Sequence, residues 1–129
     1  MPTNFQPIFD CLRGILQKQA AEFTEARNTA SEYALEAPIG PATLQAWHGK
    51  AKRQNIPVAW VQIGKSYVSY HLMGVENPRL LSSCSKELKA RMQGKTCFNF
   101  KSIDLSLLPE LTQLTRQSLE AMRAAGYIT

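Results

Sequence analysis

Apolar residues recur at steps of three and four near both ends of the chain, and this spacing predicts two long amphipathic helices. The first spans roughly residues 5 to 26, with Asn4 as its cap and Pro7 in its first turn. The second spans residues 107 to 125, and Gly126 suits its end. The two apolar stripes consist of Phe5, Ile8, Phe9, Leu12, Ile15, Leu16 and Phe23, and of Leu108, Leu111, Leu114, Leu119 and Met122.

The middle of the chain predicts a β-hairpin. Residues 58 to 63 and 66 to 72 are rich in β-branched and aromatic side chains, and only Gly64 and Lys65 separate them. Glycine at the first of two turn positions favours a type II′ turn, because glycine accepts a positive φ without steric cost. This turn would pair Gln62 with Tyr67, Trp60 with Ser69 and Val58 with His71.

Side chains of a strand alternate between the two faces of a sheet, so these six residues should share one face. We call it the mixed face, because its side chains are partly aromatic and partly polar. The opposite face is more uniformly apolar and should meet the helices. It carries Ala59, Val61, Ile63, Val68, Tyr70 and Leu72.

Shorter patterns complete the order of elements. Residues 33 to 37 and 96 to 101 predict strands, while Asn77 and Ser85 suit the caps of two short helices. Residues 38 to 56 have no interpretable pattern, although Trp47 is a candidate anchor to the core. The order predicts an α+β fold of two layers, with the terminal helices on one face of a short antiparallel sheet.

Composition supports a single globular domain. The chain has 129 residues, of which 44% are apolar and 19% charged. Its three cysteines, Cys11, Cys84 and Cys97, are widely spaced and odd in number, which favours reduced thiols in the cytoplasm over a disulfide framework. Neither a membrane span nor a signal peptide is predicted, and no zinc spacing occurs.

Three segments carry a family resemblance. They are residues 62 to 73, residues 77 to 81, and residues 88 to 101, the last with Gly94-Lys95-Thr96-Cys97-Phe98-Asn99-Phe100. The chain resembles the YdhG-like domain family, a group of small bacterial proteins. This resemblance implies helices packed against a curved antiparallel sheet, and it implies little about function, because most such proteins have none assigned.

One branch of that family is linked to intracellular iron delivery in the manner of frataxin, so the resemblance raises an iron chaperone as an alternative function. Iron sites of this kind need clustered carboxylate oxygens. The four glutamates between residues 20 and 40 are instead spread over several predicted elements. They are Glu22, Glu25, Glu32 and Glu36.

Candidate catalytic groups do not assemble in the sequence. Ser69 and His71 lie two apart on one strand, where their side chains run parallel and no acid orients the imidazole. The triplet Gly94-Lys95-Thr96 resembles the end of a phosphate-binding loop, but it follows a helix and enters a strand, which is the reverse of that motif. The sequence therefore predicts no enzyme, no catalytic residue and no cofactor.

The leading hypothesis is a non-enzymatic domain that binds a small molecule or a protein partner, including a second copy of itself, on the mixed face. The predicted ligand-binding residues are Trp60, Gln62, Tyr67, Ser69, His71 and Arg91. Phe98 or Phe100 is expected to join this face, with Cys97 on the opposite side. A net charge of +5 raises weak nucleic-acid binding as a further alternative, with Arg91, Lys95 and Lys101 as its basic patch, although charge alone disfavours it as the main function.

Overall fold

The computed structural model describes residues 4 to 102 and 105 to 129 and has an α+β fold, as the sequence predicts. Five antiparallel strands form one open sheet in the order β1-β2-β3-β4-β5. The elements are α1 (Gln6–Gln17), β1 (Thr24–Asn28), β2 (Glu32–Pro38), α2 (Pro41–Ala46), β3 (Asn55–Ile63), β4 (Val68–Leu72), α3 (Pro78–Ser82), α4 (Lys86–Lys89), β5 (Cys97–Phe100) and α5 (Leu108–Ala124).

The first helix is shorter than predicted. Helix α1 ends at Gln17, and the chain then makes a 3₁₀ turn and enters strand β1. Extending the helix to residue 26 was wrong because the continuous apolar stripe ends at Leu16, and residues 24 to 28 instead pair with β2 at the sheet edge. The hydroxyl of Tyr33 on β2 donates a hydrogen bond to Glu25 on β1, which ties the two strands together.

The two hairpin strands are confirmed, but their register is wrong by two residues. Trp60 pairs with His71 and Gln62 pairs with Ser69, so the turn is centred on Lys65 and Ser66. Gly64 is the last residue before the turn, where its N–H donates to the carbonyl of Tyr67 over 2.8 Å. A Cβ at Gly64 would lie 3.1 Å from that carbonyl oxygen, a tight contact that glycine avoids, and the φ of Gly64 is not positive.

A shift of two residues leaves every side chain on its predicted face, since the strand period is two. Trp60, Gln62, Ser69 and His71 therefore share the mixed face, as predicted. Val58 does not pair with His71, because Trp60 occupies that position in the observed register. Val58 is instead the extra residue of a bulge between β2 and β3, and it is fully buried.

The apolar sheet face meets helices α1 and α5, as predicted. Phe98 and Phe100 belong to this face, because they pair with Tyr70 and Val68, and both are buried in the core. Their expected place on the mixed face was wrong. Alternation along β5 puts Cys97 there instead.

Residues 38 to 56, for which the sequence predicted no secondary structure, contain α2, a loop and the start of β3. The C-terminal tail pairs with it: the N–H of Gly40 donates to the carbonyl of Tyr127 over 2.8 Å, and that of Ala42 to Gly126 over 2.9 Å. A Cβ on Gly40 would lie 2.2 Å from the carbonyl oxygen of Gly126, so only glycine allows this approach. The contact holds α2 beside the end of α5.

Candidate functional site

A cleft among the described residues has a volume of about 760 Å³. It lies between α2, the start of β3, the 3₁₀ turn Met73–Glu76 and the last turn of α5. We call it the tryptophan cleft, because both tryptophans of the chain line it. Its main lining side chains are Trp47, Trp60, Met73, Met122 and Tyr127.

Each wall of the tryptophan cleft comes from a different part of the chain. Trp47 stands at the C-terminal end of α2, and Trp60 projects from the mixed face of β3. Met122 is on the last turn of α5, and Tyr127 follows Gly126, whose φ of 83° is the left-handed conformation that glycine accepts. The pairing of the C-terminal tail with residues 38 to 42 therefore brings these side chains together.

The rim of the cleft carries charge. The loop between Trp47 and β3 holds three exposed cations, Lys50, Lys52 and Arg53, and no acidic residue. The Nζ of Lys52 lies 6.0 Å from the centre of the Trp47 ring system. Arg53 lines the cleft and forms an ion pair of 3.2 Å with Glu36 on β2.

A second, smaller hollow of about 350 Å³ lies on the mixed face itself. The structure brings together four of the predicted site residues here, with five polar neighbours that the prediction missed. The four are Gln62, Tyr67, Ser69 and His71, and the neighbours are Lys65, Ser66, Gln93, Cys97 and Asn99.

The two remaining predicted site residues lie elsewhere. The Trp60 ring stacks on His71 with centroids 4.5 Å apart and planes 12° apart, so it connects the hollow to the tryptophan cleft. Arg91 does not line either cavity: its guanidinium carbon lies 5.8 Å from the centre of the Phe100 ring. Its backbone carbonyl accepts a hydrogen bond from Asn99 at the edge of β5.

Cys97 and His71 form the only pair of groups in the hollow that resembles a nucleophile and its base among the described lining residues. Cys97 Sγ lies 3.7 Å from His71 Nε2 and 3.3 Å from Asn99 Oδ1, to which the thiol donates. Burial lowers the pKa of His71 and raises the pKa of Cys97. Both groups are therefore neutral near pH 7, which is the opposite of the thiolate–imidazolium pair that a cysteine nucleophile requires.

Sequence reasoning missed Tyr127 and Met122 as site residues and treated Trp47 only as an anchor. Their association depends on long-range pairing, for which no local signal exists. The position of Cys97 was predictable, because a residue next to a buried Phe98 in a strand must point to the opposite face of the sheet, which is the mixed face.

Within residues 4 to 102 and 105 to 129, no group of three or more histidine, cysteine, aspartate or glutamate side chains could hold a metal ion. Within the same residues, no helix is long and apolar enough to cross a membrane.

No protein-family model, curated protein sequence or solved structure matches this chain. The resemblance to the YdhG-like family therefore stays a prediction, and the functional argument depends on the geometry of the two cavities.

Proposed function

We propose that this chain is a non-enzymatic binding domain whose ligand is a small, largely apolar molecule held in the tryptophan cleft. The observation that carries the proposal is a cleft of about 760 Å³ walled by two indoles, a phenol and two thioethers. Small-molecule sites are typically concave, mostly apolar and between about 300 and 1,000 Å³.

The chemistry of the walls supports this choice over the smaller hollow. Aromatic rings and methionine side chains offer large, polarisable contact surfaces to an apolar ligand. The hollow on the mixed face is smaller and more polar, and its Cys97–His71 pair is neutral near pH 7. Of the predicted site residues, Trp60 carries over into the tryptophan cleft, while Gln62, Tyr67, Ser69 and His71 surround the hollow behind it.

The alternatives raised by the sequence gain no support from the described residues. An iron chaperone would need the carboxylate cluster discussed above. Nucleic-acid binding through Arg91, Lys95 and Lys101 would gain from stacking on Phe98 or Phe100, but both rings are buried in the core. We therefore propose neither.

Intrinsic fluorescence offers a direct test, because the only two tryptophans of the chain, Trp47 and Trp60, both line the cleft. The probe is phenylnaphthylamine, an uncharged apolar fluorophore that accepts energy from tryptophan. We expect saturable energy transfer with one probe per chain.

A matched pair of variants makes the test specific. Ala121→Phe places a large ring inside the cleft, whereas Ala124→Phe makes the same change on the same helix at a residue that does not line it. Binding should be lost in Ala121→Phe and kept in Ala124→Phe. Equal binding by both variants, or no saturable binding by the unaltered protein, would overturn the proposal.

A further inference from the structure

We infer that the ligand of the tryptophan cleft carries a carboxylate, and that Arg53 and Lys52 bind this group at the rim while the apolar body lies between the indoles. The inference rests on the proposed function and adds the chemical class of the ligand. It assigns a small free carboxylic acid with an aliphatic or aromatic body.

The positions of the cations carry the argument. Arg53 is a lining residue of the cleft, and its planar guanidinium can bind a carboxylate with two parallel hydrogen bonds. The Nζ of Lys52 lies 6.0 Å from the centre of the Trp47 ring, although Lys52 does not itself line the cleft. A ligand stacked along Trp47 would therefore end beside two positive charges.

The ion pair between Arg53 and Glu36 shows that the Arg53 guanidinium is positioned to bind a carboxylate. Glu36 already presents a carboxylate to Arg53 at 3.2 Å, while half of the Arg53 side chain, 52%, remains exposed. The guanidinium has five N–H donors, so a second carboxylate can bind beside Glu36 or replace it. The pair also implies that Glu36 competes with the ligand for Arg53.

The acidic residue Glu76 also lines the cleft, on the side of the 3₁₀ turn. It would favour a cationic end group instead. We favour the anion because Arg53 lines the cleft, Lys50 and Lys52 lie on the same loop as Arg53, and the whole chain has a net charge of +5. An anionic ligand is therefore attracted at long range and at the rim.

The test compares three ligands with the same eight-carbon body: octanoate, octanol and octyltrimethylammonium. Each displaces phenylnaphthylamine from the unaltered protein while the energy transfer from tryptophan is recorded. Octanoate should bind roughly two- to five-fold more tightly than octanol, which is the range of a partly exposed ion pair. This advantage should shrink as salt is added, because salt screens exposed charges.

Variants identify the cations and separate binding from misfolding. Arg53→Gln and Lys52→Gln should each weaken octanoate binding and leave octanol binding unchanged. Glu36→Gln removes the competing carboxylate and should tighten octanoate binding, a gain that a damaged fold cannot produce. Arg116→Gln removes an exposed cation of α5 that does not line the cleft, so it should change neither octanoate binding nor octanol binding.

Each result has one meaning. Tighter binding of octanoate together with a further gain in Glu36→Gln supports the inference. Equal binding of octanoate and octanol, or tightest binding of octyltrimethylammonium, overturns it and leaves the proposed function intact. If neither the three ligands nor phenylnaphthylamine binds, the proposed function and the inference both fail.

Discussion

Tyr70 and Thr115 place two hydroxyl groups in the buried core, where an unpaired polar group is costly. Thr115 Oγ1 donates to the carbonyl of Leu111 over 2.7 Å, and Tyr70 Oη lies 2.5 Å from the same Oγ1. Because a threonine hydroxyl has one proton, Tyr70 must be the donor to Thr115. Because Tyr70 donates to Thr115 and Thr115 donates to Leu111, removing the Thr115 hydroxyl should destabilise the fold more than removing the Tyr70 hydroxyl.

Thr115→Val should lower the free energy of unfolding by about 1–3 kcal/mol, because it leaves the buried Tyr70 hydroxyl without an acceptor. Tyr70→Phe should cost less, since Thr115 keeps its bond to Leu111. Urea denaturation of both variants and of the double variant measures this. The account is contradicted if Tyr70→Phe is the more damaging single change.

His71 gives the stability a pH dependence. Burial lowers the pKa of His71 from its ordinary value of 6.5, so the folded state binds a proton less readily than the unfolded state. The stabilisation from neutral His71 is therefore complete above the unfolded pKa, and it is lost as pH falls below 6.5.

His71→Phe should keep the stack on Trp60 and remove this titration. The melting temperature of the unaltered protein should fall more steeply between about pH 7.5 and about pH 5 than that of the variant. His48 is present in both proteins, so it cancels in the comparison. Identical slopes would show that His71 does not titrate differently in the two states.

At the scale of the element, close backbone approach decides where glycine is required. Gly40 touches the backbone of Gly126, whereas a Cβ at Gly14 in α1 would meet no atom within 4 Å. The same substitution at these two positions should therefore have opposite effects.

Gly40→Ala should destabilise the protein by about 1–3 kcal/mol, because the backbone of the C-terminal tail must move. Gly14→Ala should stabilise it by about 0.5–1 kcal/mol, because alanine is the better helix former. Chemical denaturation of both variants tests the pair. Phenylnaphthylamine binding should also weaken in Gly40→Ala alone, since this contact positions α2 and Trp47.

Elements with a clear period were predictable and edge elements were not. Helix α5 and the two hairpin strands each bury one face, so apolar residues recur along them with the period of a helix or a strand. This pattern made all three elements predictable from the sequence. Strand β1 is exposed along its whole length and has no such pattern; pairing with β2 makes it a strand. The turn was misplaced because Gly64 pairs with Tyr67 at the end of the strands instead of occupying a turn position, and turn preferences do not reveal this pairing.

The candidate site was predictable only in part, for the same reason. Trp60 and the other mixed-face residues follow from strand alternation alone. The rest of the tryptophan cleft depends on the C-terminal tail returning to residues 38 to 42, a pairing between segments that lie far apart in the sequence. Trp47 and Tyr127 are consequently recognisable as partners only in the folded structure.

At the scale of the whole molecule, a ligand that binds only the folded state must raise its stability. A ligand present at 100 times its dissociation constant should add about 2.7 kcal/mol to the free energy of unfolding. Octanoate should therefore raise the melting temperature of the unaltered protein and of Ala124→Phe, and leave Ala121→Phe unchanged. A rise that is the same in all three proteins would locate binding outside the cleft.

The most direct measurement is a proton–nitrogen correlation spectrum of the isotope-labelled protein, recorded as phenylnaphthylamine is added. The two indole N–H signals come from Trp47 and Trp60, which both line the cleft. The account predicts that both signals shift together and saturate with one ligand per chain, and that Ala121→Phe abolishes the shifts. Unchanged indole signals, with shifts confined to residues around the mixed-face hollow, would contradict the central claim.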